Sequence, residues 1–295
     1  MANMDWDLAQ LRAFSAVLRE GSFDAAARAL HVTPSAVSQR IKALELATGR
    51  VLLVRSKPAR PTDAGEAVLR LARQVDQLTA DVAAELSLEP EPGRRARIAM
   101  SVNADSLHSW LLPALAPLAS DYEFELHRAD QAHTAALVRA GMVAAAVTEQ
   151  REPPPGCTSQ LLGRMRYHPM AAPDFVRRWF PAGPSGSSLA QAPMVVFDRD
   201  DDLQHRYLRR RLRRAADNPP THYVPGSADF VRAVALGMGW GMVPEAQRHQ
   251  APELEVLDPG GSVAVVLYWQ QWKLGTSSLD RVRAAVVAAA RAALA

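Results

Sequence analysis

Apolar residues recur along this chain in three successive rhythms. From Leu8 to Glu45 they fall in short helical blocks, broken at Gly21-Ser22 and at His31-Val32-Thr33. From Val68 to Val82 they keep a strict spacing of three and four. From about Arg94 onward, helical blocks alternate with short apolar runs. Each rhythm predicts a different architecture.

The first rhythm predicts two short helices joined by a tight turn. Ser22 is a good N-cap for an Ala-rich helix over Phe23–Leu30. His31-Val32 makes the turn. Thr33 caps the next helix, and Pro34 takes its first position, where a missing N–H costs nothing. On that second helix Val37, Ile41 and Leu44 form a core stripe at i, i+4, i+7. Ser35, Ser38, Gln39 and Lys42 share the opposite face, with Arg40 beside them. An ordinary helix of a bundle also has a polar face, so polarity alone decides little. Charge decides more. Seven basic residues lie between Arg28 and Arg60 against one acid, Glu45, in a chain whose net charge is only +3. A basic island on a helix-turn-helix pattern is the electrostatic footprint of a duplex-binding module.

The second rhythm runs Val68, Leu71, Val75, Leu78, Val82. This a/d pattern belongs to a helix that needs a partner helix. The other reading is an amphipathic helix packed on its own domain. The flanks favour dimerisation: Pro61 precedes the helix and Glu89-Pro90-Glu91-Pro92-Gly93 follows it, so it stands between two domains.

The third rhythm predicts an α/β unit. Strands are expected at Arg97–Val102, Glu123–His127, Val143–Val147, Leu161–His168 and Met194–Phe197, near Tyr223, at Gly241–Val243 and at Val263–Trp269. Helices are expected at Ser109–Leu118, Thr134–Ala140, Asp174–Trp179, Leu203–Arg214, Asp229–Leu236 and Leu279–Leu294. Such alternation implies mainly parallel sheets covered by helices. Two series with a late returning strand suggest two lobes and a cleft.

Ligands of open α/β sheets sit beyond the carboxyl ends of strands, against helix N-termini. That rule selects four clusters: Asn103-Ala104-Asp105-Ser106, Thr148-Glu149, Asp198 to Asp202, and Gly226-Ser227. Each also has an ordinary reading. Asp105, Ser106 and Ser227 can be plain N-caps. Asp200–Asp202 can cap a helix whose far end carries Arg206, Arg209, Arg210, Arg211, Arg213 and Arg214, an arrangement that complements the helix dipole.

Length and composition fit about two domains. The 48% hydrophobic content is ordinary for a packed protein, and no apolar run approaches the ~20 residues that span a bilayer. The start, MANMDWD, is acidic and lacks the regions of a signal peptide. A single cysteine, Cys157, rules out an internal disulfide and a cysteine-based zinc cluster; it is expected in a loop, with no chemical role. His127, His133, His168, His205 and His222 are scattered and show no ligand spacing. No enzyme chemistry, metal or cofactor is expected.

Residues 8–88 resemble the N-terminal region of LysR-type transcriptional regulators. The carriers are LAQLRAFSAVLREGSFDAAARALHVTPSAVSQRIKALE and then LLVRSKPARPTDAGEAVL. The resemblance implies a wing after the recognition helix, formed by Val51–Val54 and the Pro58/Pro61 segment, with Arg55 and Lys57 at its tip. It makes Thr33, Ser35, Ser38, Gln39, Arg40, Lys42, Arg55 and Lys57 the DNA-contacting set. It also makes the helix after Thr62 a linker that pairs two subunits through Val68, Leu71, Val75, Leu78 and Val82, with further pairing into a tetramer. Residues 97–295 resemble the effector-binding part of the same family. The implied fold is an α/β effector domain of two Rossmann-like lobes, akin to periplasmic solute-binding proteins, joined to an all-α winged helix-turn-helix domain.

Three motifs resemble the ArgP/LysG branch, which controls basic amino acid export: VNADSLHSWLLPALAPL (102–118), VVFDRDDDLQ (195–204) and VVLYWQQW (265–272). That branch implies arginine or lysine as effector. Asp105, Glu149, Asp198, Asp201 and Asp202 supply acids for its two cations, while Asn103, Ser106, Thr148 and Ser227 supply amides and hydroxyls. At the fourth cluster the chain departs from the expected Ser-Ser-Glu-like run: it has Gly226-Ser227-Ala228, with the acid one place later at Asp229. One residue on a helix turns a side chain by ~100°.

The expected protein is therefore a cytoplasmic, ligand-responsive transcription regulator, with activation and repression both open. Its partners would be double-stranded promoter DNA, a small-molecule effector and other copies of itself, with RNA polymerase a further candidate and no membrane. Residues 1–61 would read DNA, 62–93 would link and dimerise, and 94–295 would bind the effector. Two alternatives stay open: a LysR-type regulator of another small acid or amino acid, and a solute-binding protein without a DNA role.

Overall fold

The computed structural model describes residues 6–86, 95–128, 131–211 and 219–294. The segment Glu89–Gly93, the first five residues, and Arg213 and Arg214 lie outside the described residues.

The N-terminal unit follows its local signals closely. Helix α1 (Leu8–Glu20) is capped by Asp7, whose carboxylate accepts from the Ala9 amide at 2.8 Å, and ends at Gly21 with φ +73. Helix α2 (Phe23–Ala29) is capped by Ser22 at 3.3 Å from the Ala25 amide. His31 takes φ +53 in the turn. Helix α3 (Pro34–Thr48) is capped by Thr33 and closed by Gly49 at φ +63. Val37, Ile41 and Leu44 are fully buried against Phe14 and Val17 of α1. A two-residue antiparallel wing follows, β1 (Leu53–Val54) and β2 (Arg60–Pro61).

Helix α4 (Asp63–Glu85) splits its apolar stripe. Val68 is 5% exposed and sits in the core of the N-terminal unit, with Leu71 packed against that core. Val68 is thus corrected from a dimerisation residue to a core residue. Only the later part of the stripe, Leu78 and Val82 with Leu86 beyond it, is exposed.

The same helix also docks on the C-terminal α/β unit. Arg73 donates to the carbonyls of Gly141, at 2.8 Å, and of Met142, while Arg70 donates to the carbonyl of Arg139. Asp81 accepts from the Ser277 hydroxyl at 3.1 Å and the Ser278 amide at 3.3 Å. A helix standing clear between two domains is the expectation; these polar contacts, several of them part-buried, make it part of an interdomain joint.

The C-terminal unit begins with β3 (Ala96–Val102), which runs into α5 (Ala104–Ser106). A π-helical turn (Leu107–Leu111), α6 (Leu112–Leu115) and a 3₁₀ turn (Ala116–Leu118) continue the rod. Pro113 removes one i→i−4 donor here, which suits a local change of helical pitch. Then come β4 (Tyr122–Arg128), α7 (Gln131–Arg139), β5 (Ala145–Thr148), β6 (Cys157–Ala171), α8 (Pro173–Trp179), α9 (Gly186–Gln191), β7 (Met194–Val196) and α10 (Leu203–Arg211). After them lie β8 (Thr221–Tyr223), α11 (Ser227–Ala235), β9 (Gly241–Pro244), β10 (Glu255–Val256), β11 (Val263–Trp272) and α12 (Ser277–Ala293).

The two lobes share one sheet, ordered β10-β6-β11-β5-β3-β4, with β9 also on β6. Among the strand pairs of the described residues, β3/β4, β3/β5 and the separate β7/β8 pair are parallel and the rest antiparallel. The expectation of mainly parallel sheets is therefore corrected: β6 and β11 form a long antiparallel spine from Val263↔Tyr167 to Trp272↔Cys157. One end of the spine joins β5 in the first lobe, and the other joins β9 and β10 in the second. Along both spine strands much of the burial alternates, as an antiparallel strand with one core face requires. Trp240, Trp269, Met100 and Ile98 fill the core. Cys157 is buried at the start of β6 rather than in a loop.

Candidate nucleic-acid interface and effector cleft

The cap of α3 sets which side chains face outward at its first turn. Thr33, Ser35, Gln39 and Lys42 are exposed, and Ser38 and Arg40 are half-buried. Arg55 and Lys57 are exposed beyond β1, and the Arg55 guanidinium lies 5.4 Å from the centroid of the Phe23 ring. This cation–π contact ties the wing to the start of α2. Glu45, the one acid of the basic island, accepts from the Leu52 amide at 2.9 Å and so fixes the chain entering the wing. The result is a basic surface with short polar side chains on the outer face of α3, the kind of surface that enters a major groove.

A cavity of about 1600 Å³ opens between the two lobes. Asn103, Asp105, Thr148, Glu149, Asp198 and Asp202 all line it. The strand ends explain the convergence. Val102 pairs with Val147 on one side and Arg128 on the other, so the residues that follow β3 and β5 and the end of β4 sit side by side. The end of β7 faces them from the second lobe, where Arg128 lies 6.0 Å from the Phe197 ring centroid.

Two expected residues are corrected. The Ser106 side chain is fully buried and does not line the cleft. Ser227 is 9% exposed, and its hydroxyl donates to Asp105 Oδ1 at 2.5 Å. Neither hydroxyl is available to a ligand carboxylate. Asp229 packs against Gly226 at the start of α11, also outside the cleft lining.

The acids differ in how they are already used. Asp198 Oδ1 accepts from the amides of Asp200 and Asp201, both at 2.9 Å. Asp201 spends one oxygen on the Phe197 amide and the other on Leu203 at 3.0 Å, so it caps α10. Burial pushes its carboxyl up from the ordinary value, against the pull of those amides. Asp202 pairs at the rim with Arg209 and more loosely with Arg206. Thr148 accepts from the Gln150 amide at 3.2 Å. Asn103 presents a buried Oδ1 with no partner among the described residues.

Sequence reasoning missed three kinds of cleft residue. Tyr167 lines the cavity from β6 and donates to Asp105 Oδ2 at 2.7 Å; burial, then the nearby Asp105 charge, hold its phenol well above the usual range, so it stays a neutral donor. Arg128 and His127 line it from β4, although the strand-end rule would have selected Arg128. Arg60, Pro61 and Glu66 wall the cavity from the winged-helix unit, a tertiary contact with no local sign. Among the described residues no group of three His, Cys, Asp or Glu is placed to hold a metal ion, and no helix is long and apolar enough to cross a membrane.

Comparison with known proteins agrees with this geometry. The family model for bacterial regulatory helix-turn-helix proteins of the lysR family matches residues 8–66, and that for the LysR substrate binding domain matches residues 90–291. The HTH-type transcriptional regulator LysG of Mycobacterium bovis is 44% identical over 292 residues, covering 98% of this chain and 95% of the relative. The crystal structure of ArgP from Mycobacterium tuberculosis superposes with a TM-score of 0.84 at 42% identity, covering 97% of each chain. Full-length LysG from Corynebacterium glutamicum with bound effector Arg superposes with a TM-score of 0.75 at 36% identity, over 98% of this chain and 99% of that one.

Proposed function

This chain belongs to the LysR family of bacterial transcriptional regulators, and from that premise we propose that it senses arginine or lysine and controls export or metabolism of basic amino acids. The carrying observation is the acid-lined cleft: Asp105, Glu149 and Asp198 converge from two lobes on one cavity. A free basic amino acid brings one carboxylate and two cations. Arg128, at the strand end beside Asn103, supplies a counter-charge for the carboxylate. Asp105 then takes the α-ammonium, and Asp198 with Glu149 takes the side-chain cation. Charged groups paired and hydrogen-bonded away from water give the strong contacts such selectivity needs. The role is binding and not turnover.

In this reading residues 1–61 read promoter DNA through Ser35, Ser38 and Gln39, with Thr33, Arg40, Lys42, Arg55 and Lys57 on the backbone. Residues 62–93 link and dimerise, and 94–295 bind the effector. The protein works in the cytoplasm as a dimer or tetramer. Calorimetry on the full-length chain tests the ligand class: arginine or lysine should release binding heat and glutamate should not. A rival reading, an acidic effector, is favoured by Arg128 and His127 on one wall of the same cleft. Heat from glutamate alone would establish that rival.

A further inference from the structure

Asp105 belongs to the first lobe, yet its side-chain donors come from elements of the second. Tyr167 from β6 donates to Oδ2 at 2.7 Å. Ser227, the first residue of α11, donates to Oδ1 at 2.5 Å. Gln247, from the turn after β9, donates to Oδ1 at 3.4 Å and to the Ser227 oxygen at 2.8 Å. The proton accounting closes in one way only. A serine hydroxyl has one hydrogen, so Ser227 accepts from Gln247 and donates to Asp105. The carboxylate accepts only, so Gln247 must turn its NH₂ toward it. Gln247 is fully buried and Tyr167 nearly so, which makes the arrangement stiff.

Oδ1 is thereby saturated with two donors, while Oδ2 holds one and keeps a lone pair. Asp105 and Tyr167 both line the cavity, whereas Ser227 and Gln247 stand behind it. We propose that Tyr167, Ser227 and Gln247 are positioning residues that aim Asp105 Oδ2 at the α-ammonium of the effector, and that this ammonium seat is complete only when the two lobes stand at this spacing. The proposal rests on the amino-acid-sensing reading above and deepens it: it assigns which cation Asp105 takes and makes recognition of the α-amino group depend on the second lobe. An α-hydroxy acid of the same shape lacks the charge that this oxygen is set to meet.

The test compares L-arginine and L-lysine with their α-hydroxy analogues by calorimetry on the full-length protein. Wild type should bind the amino acid at least tenfold more tightly than the analogue. Tyr167→Phe keeps the ring and removes one donor, and Gln247→Leu removes the amide. Each should weaken amino acid binding about tenfold and leave the analogue's affinity nearly unchanged, so discrimination collapses. Ser227→Thr, which keeps the hydroxyl, should retain discrimination. Equal losses for both ligands would mean a merely structural role and overturn the inference alone. So would unchanged discrimination in folded Tyr167→Phe, which guards against Gln247→Leu failing to fold. Wild type that binds neither amino acid overturns the effector assignment and this inference together.

Discussion

Arg73 on α4 donates to the carbonyl of Gly141 at 2.8 Å and fastens the N-terminal helix-turn-helix unit to the first lobe of the C-terminal unit. The approach is close enough to exclude side chains at that point. A Cβ on Gly141 would lie 2.6 Å from the Arg70 Cα, and the residue sits at φ +68, where a β-branched side chain is strained. Met142, next along, packs partly into the winged-helix core. Gly141→Val should therefore push α4 off the lobe. Arg73→Ala should loosen the same joint without backbone strain. Hydrogen exchange over residues 139–143 and small-angle scattering of the full chain should both report the opening. Unchanged exchange and size in both variants would show the joint to be energetically idle.

The α3 surface makes a prediction about DNA. Gln39 is exposed near the start of a capped helix, where a side chain reaches base edges. Gln39→Ala should cost roughly 1–3 kcal/mol of specific binding and leave the salt slope nearly unchanged. Arg55 stacks on Phe23 and keeps its charge outward, so Arg55→Ala should weaken binding to all duplexes and flatten the salt slope. Equal loss on specific and random duplex for Gln39→Ala would sink its base-reading role.

Division of the α4 stripe changes what an assembly experiment should show. Val82 is 53% exposed and Val68 is 5% exposed. Val82→Glu should place a charge in a helix–helix seam between subunits, which is costly unless the helices part. Smaller particles by light scattering and lost operator binding are the expected outcome. Val68→Ala should lower the melting temperature of the winged-helix unit with particle mass unchanged, because it hollows that unit's own core. If instead Val68→Ala changes the mass and Val82→Glu does not, the seam lies at the other end of the helix.

Glu125 gives a pH dependence. Its carboxyl is held below the ordinary value of 4.5, first by the His127 hydrogen bond and then by Arg97, against partial burial. His127 Nε2 lies 3.1 Å away and Arg97 at 3.2 Å. A carboxyl with a lowered folded-state pKa adds stability above its unfolded value and loses it as pH falls through the folded value. His127→Leu, which removes the ring donor, should thus be destabilising near neutrality, with the difference from wild type shrinking below about pH 4.5. A constant difference across the acid limb of the unfolding curve would show that His127 acts only by packing.

How much of this was legible depended on how local each signal was. Ser22, Thr33, Pro34 and Gly49 are caps and stops read within a turn, and the N-terminal helices fall where those residues put them. Most strand positions were also legible, though the two-residue β10 was not, and the strand partners were not. The spine of β6 and β11 joins residues about a hundred positions apart, and apolar rhythm carries no pairing information over that distance. The strand-end rule selected Asn103, Asp105, Thr148, Glu149, Asp198 and Asp202, which the structure places around one cavity, because that rule encodes topology. It could not see that Ser106, one residue further round the helical turn, points into the core. Gln247 was hidden for the same reason: an amide in a short 3₁₀ turn has no pattern, and its purpose exists only through Asp105.

Asp198→Asn isolates the side-chain cation of the effector. Asp198 Oδ1 holds the turn after β7 by accepting from two amides, and Asn keeps that acceptor. The substitution therefore removes charge from the cleft while the turn and its cap on α10 persist. If Asp198 meets the guanidinium or ε-ammonium, the variant loses a charge-assisted contact. Such a contact is worth a few kcal/mol, so arginine and lysine should bind ~10–1,000-fold more weakly. The α-hydroxy analogues carry the same side chain and should lose as much, which separates this residue from Asp105. Calorimetry on the full-length chain measures both. Normal binding by a well-folded Asp198→Asn would move the cation to Glu149 or Asp202 on the cavity wall, since Asp201 beside them already spends both oxygens on the Phe197 and Leu203 amides.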